Sequence, residues 1–594
     1  MSEQKEFHVS SKVSIALASL CRSYWAFQCD EFPIIAMMAS QPVAHDELLR
    51  EAPADHWRRS GFAQSMLGEL ALIPVDMLDN QERVSRAMLW RDLQALVDAV
   101  ALKAHLRPSL FPMGPDFVMI YSAGLVVLQS QDDARRWLAR LRRMPASLHS
   151  VIDSLAAGVQ AGIRYPRLVL ARACAQTIGQ MSMAPALSPL FGPFTKAGDR
   201  AAPGGVFADI ASDALQAIEH AVYPALRAYA AYLREQLGAV ARDTVSCCDS
   251  PNGAAFYREQ IRQNTTQDLQ AQDVHHTGLA EVQRIDAQMQ AVAAWAGFAG
   301  DLPGYMQHLK NDPDQLVESG EQLLEQMQIL SKRIDAKLPE YFGHLPRSSY
   351  GVELIPTALA EKMPTAYAQA SPADHSAAGM YWITSLPAKC PRYTHLPLAL
   401  HEGWPGHLMH LALMQELDGL PDFRRYGADR YSACLEGWAM YCERLGEEMG
   451  FYDTPDKLYG RLEMEMERAL RLVVDTGIHA RGWSREQAIE LMMKHMAAPL
   501  ATIEAEVDRF IGWPGQALAY QIGNRKFCDL RARAEARLGG RFNRRAFHDA
   551  LMAAGPVTLD VLDDHIDAWI AEGSDAHPSR LTEPTRSPSH QEIP

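Results

Sequence analysis

The sequence predicts a mainly α-helical protein with a small β component. Three observations lead there. Apolar residues recur at three- and four-residue steps through most of the chain, the period of a helix with one buried face. Strand-like alternation is confined to two short stretches. Proline- and glycine-rich clusters punctuate the helical stretches, as turns between packed helices do.

Taken in order, the first element to justify is the N-terminal one. "KVSIALASLC" (12–21) resembles the apolar core of a short signal ending at a lipid-acceptor cysteine. Acidic Glu3 and Glu6 precede it, and bulky Leu20 stands where such a signal needs a small residue. "CRSYWAFQCDEFP" then continues the helical pattern, so an ordinary first helix is the reading. Helical period follows at 86–106, 132–144, 147–163, 276–298 and 318–338. Turn clusters fall at 109–116, 190–205 and 246–253. The strand-like stretches are "YGVELIPTA" (350–358) and "GMYWITSL" (379–386). The last 21 residues, 574–594, are polar and proline-rich, the composition of a disordered tail. The turn cluster near 250 suggests a helical N-terminal region, 1–250, and a chemistry-bearing region, 251–573, which could form one continuous body.

Bulk properties exclude several classes. A net charge of −15 over 594 residues argues against nucleic acid, whose phosphates need a basic surface. No stretch has the length of apolar residues that a membrane span requires. Nine scattered cysteines without a CxxC pair read as reduced thiols, and so as a cytoplasmic protein. There is no GxSxG elbow, no GxxxxGK[ST] loop and no GxGxxG after a strand.

The chemistry concentrates in "LALHEGWPGHLMHLA" (398–412). A catalytic zinc takes three protein ligands, usually His and carboxylate, and leaves a position open. In HExxH the two histidines are four apart and share one helix face, because four residues turn through about 400°. Here His401 and His407 are six apart, which leaves them about 120° off a shared face in a regular helix. Pro405 forbids a regular helix: it lacks the N–H and clashes with the carbonyl of His401. A bulge or widened turn between Glu402 and His407 would bring the two rings together. Downstream, "CLEGWAMYCERL" places Glu436 in the middle of an apolar helix face, with Glu443 two turns later. A buried carboxylate needs a partner, either a metal or an arginine such as Arg444 or Arg471.

These residues resemble a known family. "HEGWPGH", "EGWAMYCERLGEEMGFY", "RLVVDTGIHARGWSREQA", "EVDRFIGWPGQALAYQIG" and "AFHDALMAAG" occur in the order seen in the bacterial domain-of-unknown-function family 885, grouped with gluzincin metallopeptidases. "SYWAFQCDEFP" and "DVHHTGLAEVQRI" extend the similarity through nearly the whole chain. The resemblance implies a large helical gluzincin-like fold with the small sheet beside an active-site cleft. It implies zinc on His401, His407 and Glu436, with Glu402 as the general base. The family often reads PGHH, whereas this chain has Leu408 and then His410, which makes His410 a fallback ligand.

Other residues are candidates around that centre. An oxyanion needs a donor opposite the metal. Asp475 and His479, four apart on one helix face, suit a carboxylate holding a histidine, either behind Glu436 or towards substrate. Tyr520, at a helix head after a Pro-Gly turn, is similar to the donor tyrosine of other helical gluzincins. Arg509 could clamp a substrate carboxylate or pair with a neighbouring acid, and Gln516 stands between them. His275 is a weaker candidate. Residues 379–386 would supply an edge strand for an extended peptide, with Tyr381 facing the cleft. The resulting expectation is a zinc hydrolase of short peptides, in which Glu402 activates the zinc-bound water. Alternatives are an amidohydrolase of a small metabolite and an inactive binding protein of the same fold. Partners would be a short peptide or peptide-like amide, without nucleic acid or membrane, and with room for a homodimer.

Overall fold

The structure, a computed structural model, describes residues 2–39, 48–361, 363–373 and 377–573. The tail expected at 574–594 lies outside the described residues. The chain is mostly helix, with one three-stranded sheet among the described residues.

The first helix, α1, runs Ser2–Glu31 without interruption. Leu17, Cys21 and Tyr24 are buried in the protein's largest core, as an ordinary first helix requires. The two periodic segments at 132–144 and 147–163 form a single helix, α2, Gln131–Gln160, which passes through Pro145. Proline removes one backbone hydrogen bond there. Trp137, Leu141, Met144, Leu148, Val151 and Leu155 bury one face on both sides of it, and this packing outweighs the loss. Ser130 and Asp133 close a capping box at the start.

The two largest cores each join residues from both sides of position 250. One combines Leu17, Tyr24 and Met88 with Leu400, Trp438, Phe547 and Ile566. The other combines Trp137, Leu141 and Tyr229 with Val474, Val507 and Phe510. In the second region, α3 (Ala271–Trp295) packs along α7 (Pro455–Arg481). Between them in sequence come α4 (Arg392–Glu402), α5 (His407–Gln415) and α6 (Ser432–Glu448). α8 (Leu500–Gly512) and α9 (Ala519–Leu538) follow.

The sheet holds β1 (Tyr350–Leu354), β2 (Ala366–Gln369) and β3 (Gly379–Ile383) in the order β1-β3-β2. β3 runs parallel to β1 and antiparallel to β2. The edge-strand expectation for 379–386 is therefore wrong. Both hydrogen-bonding sides of β3 are taken, one of them by β2, a four-residue strand too short to give an alternation signal.

α6 and α9 pack closely because each presents a glycine to the other. A Cβ on Gly437 would lie 2.4 Å from the Gly523 carbonyl carbon, and one on Gly523 would lie 1.9 Å from the Ala433 oxygen. This contact fixes Glu436 on α6 relative to Tyr520 on α9. Gly437→Ala should lower the thermal unfolding midpoint, with overpacking worth about 1–3 kcal/mol or more. Gly68→Ala, where a methyl group meets open space, should leave the midpoint unchanged or raise it.

Candidate metal centre

The His-Glu segment is two helices and not one bulged helix. α4 stops at Glu402, residues 403–406 turn, and α5 begins at His407. The Trp404–Pro405 peptide bond is cis. The turn is tied down from α6, where Trp438 Nε1 donates to the Pro405 carbonyl at 2.9 Å. It is also tight: a Cβ on Gly406 would lie 2.0 Å from the His401 oxygen. The expected distortion is present, but as a full break. The break ends one helix at His401 and Glu402 and starts the next at His407. The two imidazole rings stand 4.8 Å apart, nearly perpendicular.

Glu436 enters from α6. Its Oε2 is 3.4 Å from His401 Nε2 and 3.3 Å from His407 Nε2. Buried, that oxygen makes no hydrogen bond. One ligand atom from each of the three residues lies within 4.8 Å of the others. Neither Arg444 nor Arg471 pairs with Glu436: Arg471 bonds Glu467 and Glu506, and Arg444 lies against Cys528. Burial works against the Glu436 charge, but His407 and His401 outweigh it and hold the carboxyl well below the usual range.

Glu443, two turns after Glu436 on the same face of α6, accepts from His401 Nδ1 at 2.7 Å. That bond fixes the tautomer and leaves the Nε2 lone pair directed at Glu436. Burial opposes a proton on His401, yet Glu436 and Glu443 push the ring up to about 10. The same negative surroundings favour a divalent cation in the proton's place. Two imidazoles and one carboxylate, whose buried oxygen lacks a hydrogen bond, fit a metal with three protein ligands.

Glu402, the last residue of α4, is buried beside His401. Tyr381 does not face a cleft from an edge. It is fully buried on the central strand, and its hydroxyl has no partner. Burial, then the charges of Cys390 and Glu402, keep that hydroxyl protonated.

Tyr520 lies near Glu436. Burial and the Glu436 charge raise its pKa, while Arg471, Arg509 and a hydrogen bond with Gln516 oppose them. The Arg471 guanidinium stacks over the Tyr520 ring, 4.5 Å from its centroid. Arg509 is occupied: it makes two hydrogen bonds to Glu506, at 3.1 and 2.8 Å, and one to Gln516 at 2.5 Å. Of the two readings of Arg509, pairing with a neighbouring acid is the one found.

Asp475 and His479 do not form the expected pair. Asp475 accepts from the Tyr257 hydroxyl at 2.6 Å and from the Gly515 N–H at 3.0 Å, bracing the turn that leads to Gln516 and Tyr520. His479 Nδ1 accepts from the Cys247 N–H, and Nε2 donates to the Phe510 carbonyl. Both ring nitrogens are spent on backbone, so His479 has no proton to offer a substrate. His275 bonds Thr476. His410 is buried beneath Trp438 with neither nitrogen partnered, and it is not part of the three-residue group. Sequence reasoning missed the roles of Glu443 and Arg471. For Glu443 the signal was available, because residues seven apart share a helix face. For Arg471 it was not, since stacking between α7 and α9 is a tertiary contact.

The molecule is thus a mainly α protein with a partly buried His-His-Glu group able to hold a metal. It belongs to the family described as "Bacterial protein of unknown function (DUF885)", whose model matches residues 33–566. Among solved structures it is similar to a "putative lipoprotein" from Colwellia psychrerythraea, at a TM-score of 0.87 and 24% identity, covering 95% of this chain and 99% of that one. It is also similar to a "putative lipoprotein of unknown function" from Shewanella oneidensis, at a TM-score of 0.72 and 16% identity, covering 92% and 99%. These likenesses establish the fold. An M32 carboxypeptidase from Deinococcus radiodurans R1 aligns at a TM-score of only 0.34 and 14% identity, over 88% and 95%. No curated protein matches the chain.

Calorimetric titration should show one divalent cation bound per chain. His407→Ala should abolish that binding, and His410→Ala should leave it intact. Glu443→Ala should weaken it by about 10- to 100-fold, the usual effect of removing a ligand's orienting partner.

Proposed function

We propose that the chain is a zinc-dependent hydrolase of peptide bonds in short peptides. One observation carries the reading: the unbonded Oε2 of Glu436 between two imidazole nitrogens, with Glu402 next to His401 at the end of α4 and Tyr520 near enough to feel the Glu436 charge. Two histidines and a glutamate are a donor set that catalytic zinc sites use. Zinc, when bound, supplies Lewis acidity towards a carbonyl oxygen and makes water a better nucleophile near neutral pH.

The protein's own groups divide the remaining work. His401, His407 and Glu436 hold the metal, and Glu443 keeps His401 in the ligating tautomer. Glu402 takes a proton from the attacking water and passes it to the departing amine. Tyr520 donates a hydrogen bond to the oxygen on which negative charge develops. Asp475, through Gly515, and the Arg509–Gln516 pair keep Tyr520 in place.

We place this activity in the cytoplasm. All nine cysteines are free thiols. Cys21, the last residue of the apolar stretch 12–21, is buried in α1. Among the described residues no helix is long and apolar enough to cross a membrane.

Chelation should abolish turnover of di- and tripeptides, and zinc should restore it. Glu402→Gln should keep the metal and lower kcat by about 10²- to 10⁴-fold. Tyr520→Phe should lower kcat by about 10²- to 10³-fold with little change in KM. Turnover of N-acyl amino acids but not of peptides would move the assignment to a small-metabolite amidohydrolase. A zinc-loaded protein inert towards both classes would favour a binding protein.

A further inference from the structure

Beside Tyr520 lies a partly buried group of charges that the proposed chemistry does not use. Arg468 and Arg471 on α7 and Arg509 on α8 face Glu467 and Glu506. Three guanidinium groups meet two carboxylates, so the group carries one unbalanced positive charge. Arg471 is its centre and is more than nine-tenths buried. Both of its ion pairs, 2.7 Å to Glu467 and 3.3 Å to Glu506, use the same nitrogen, Nη2. Its Nε and Nη1 are buried and have no hydrogen-bond partner, and neither has the Nε of Arg468. A charged donor left unpaired away from water is expensive, and a guanidinium is shaped to receive a carboxylate.

We propose that Arg471 is the recognition site for a carboxylate on the substrate, located just beyond the scissile bond. The proposal rests on the hydrolase reading for its geometry. Tyr520 links the two places: the close Gly437–Gly523 approach sets its helix against the one that carries Glu436, and its ring covers the Arg471 guanidinium at 4.5 Å. Consecutive residues of a peptide stand about 3.8 Å apart. A carbonyl held at the Tyr520 hydroxyl therefore places a carboxylate one or two residues further on within reach of Arg471. The carboxylate is either the peptide's C-terminus, which makes the enzyme an exopeptidase acting from that end, or an acidic side chain next to the cleaved bond. Arg509 had been the sequence's candidate for this duty, but its donors are spent on Glu506 and Gln516.

The test is binding as well as turnover. Calorimetry on the protein as purified, carrying Glu402→Gln, would compare Ala-Ala-Ala as free acid, its C-terminal amide, and the amide of Ala-Ala-Asp. The free acid should bind about 10- to 100-fold tighter than its amide, the worth of a charge-assisted hydrogen bond. Arg471→Lys, which keeps the charge opposite Glu467 and Glu506 but loses the two-pronged guanidinium, should close that gap. Tight binding by the Ala-Ala-Asp amide would support the carboxylate site and identify a side chain as its source. Weak binding by that amide would support the C-terminus as the source. Equal affinity for acid and amide in the parent protein overturns the proposal, and so does a gap that survives Arg471→Lys. Since the comparison needs no turnover, an acid preference in a protein inert towards peptides would retain the subsite and remove the hydrolase reading. Peptide turnover without an acid preference would do the reverse.

Discussion

A carboxylate oxygen held inside the protein between two imidazole nitrogens, without a hydrogen bond, is the constraint on which the rest depends. Burying an unpaired charge costs several kcal/mol. Glu436 remains charged there because His401 and His407 face it, and because Glu443 keeps His401 turned towards it. A cation bound among the three would satisfy the oxygen and both nitrogens at once. Without such a cation, the positive charge that faces this oxygen is a proton on His401 or His407.

The surrounding fold serves that arrangement. The turn at 403–406 puts His401 at the end of one helix and His407 at the start of another, and Trp438 holds the turn from the helix that carries Glu436. The Gly437–Gly523 contact then sets the distance between Glu436 and the helix that carries Tyr520. Behind Tyr520, the Arg471 guanidinium and the Glu506–Arg509–Gln516 chain fix the ring and its hydroxyl. These contacts join α4, α5, α6, α7, α8 and α9 around a few side chains, so a change in any one helix reaches the centre.

Local features of the sequence carried much of this. Helical period survives in single segments, so the mainly α class and most long helices were legible. The placement of His401, His407 and Glu436 was legible because Pro405 acts on its own neighbours and Glu436 interrupts an apolar face. Features that depend on what packs across from a residue were not. Asp475 and His479 share a helix face, but the Gly515 N–H and the Phe510 carbonyl compete for them from other segments. β3 has the alternation of a half-buried strand, and that alternation cannot reveal that four residues of β2 cover its second side. The periodic segments 132–144 and 147–163 stand apart in the sequence, yet a continuous buried face joins them into α2 across Pro145.

The central claim is that one metal ion sits among His401, His407 and Glu436. Anomalous diffraction at the zinc absorption edge, from crystals of the protein as purified, tests it most directly. The account predicts a single peak within bonding distance of His401 Nε2, His407 Nε2 and a Glu436 oxygen. No peak at that place, or a peak that engages His410 in place of His407, would contradict it.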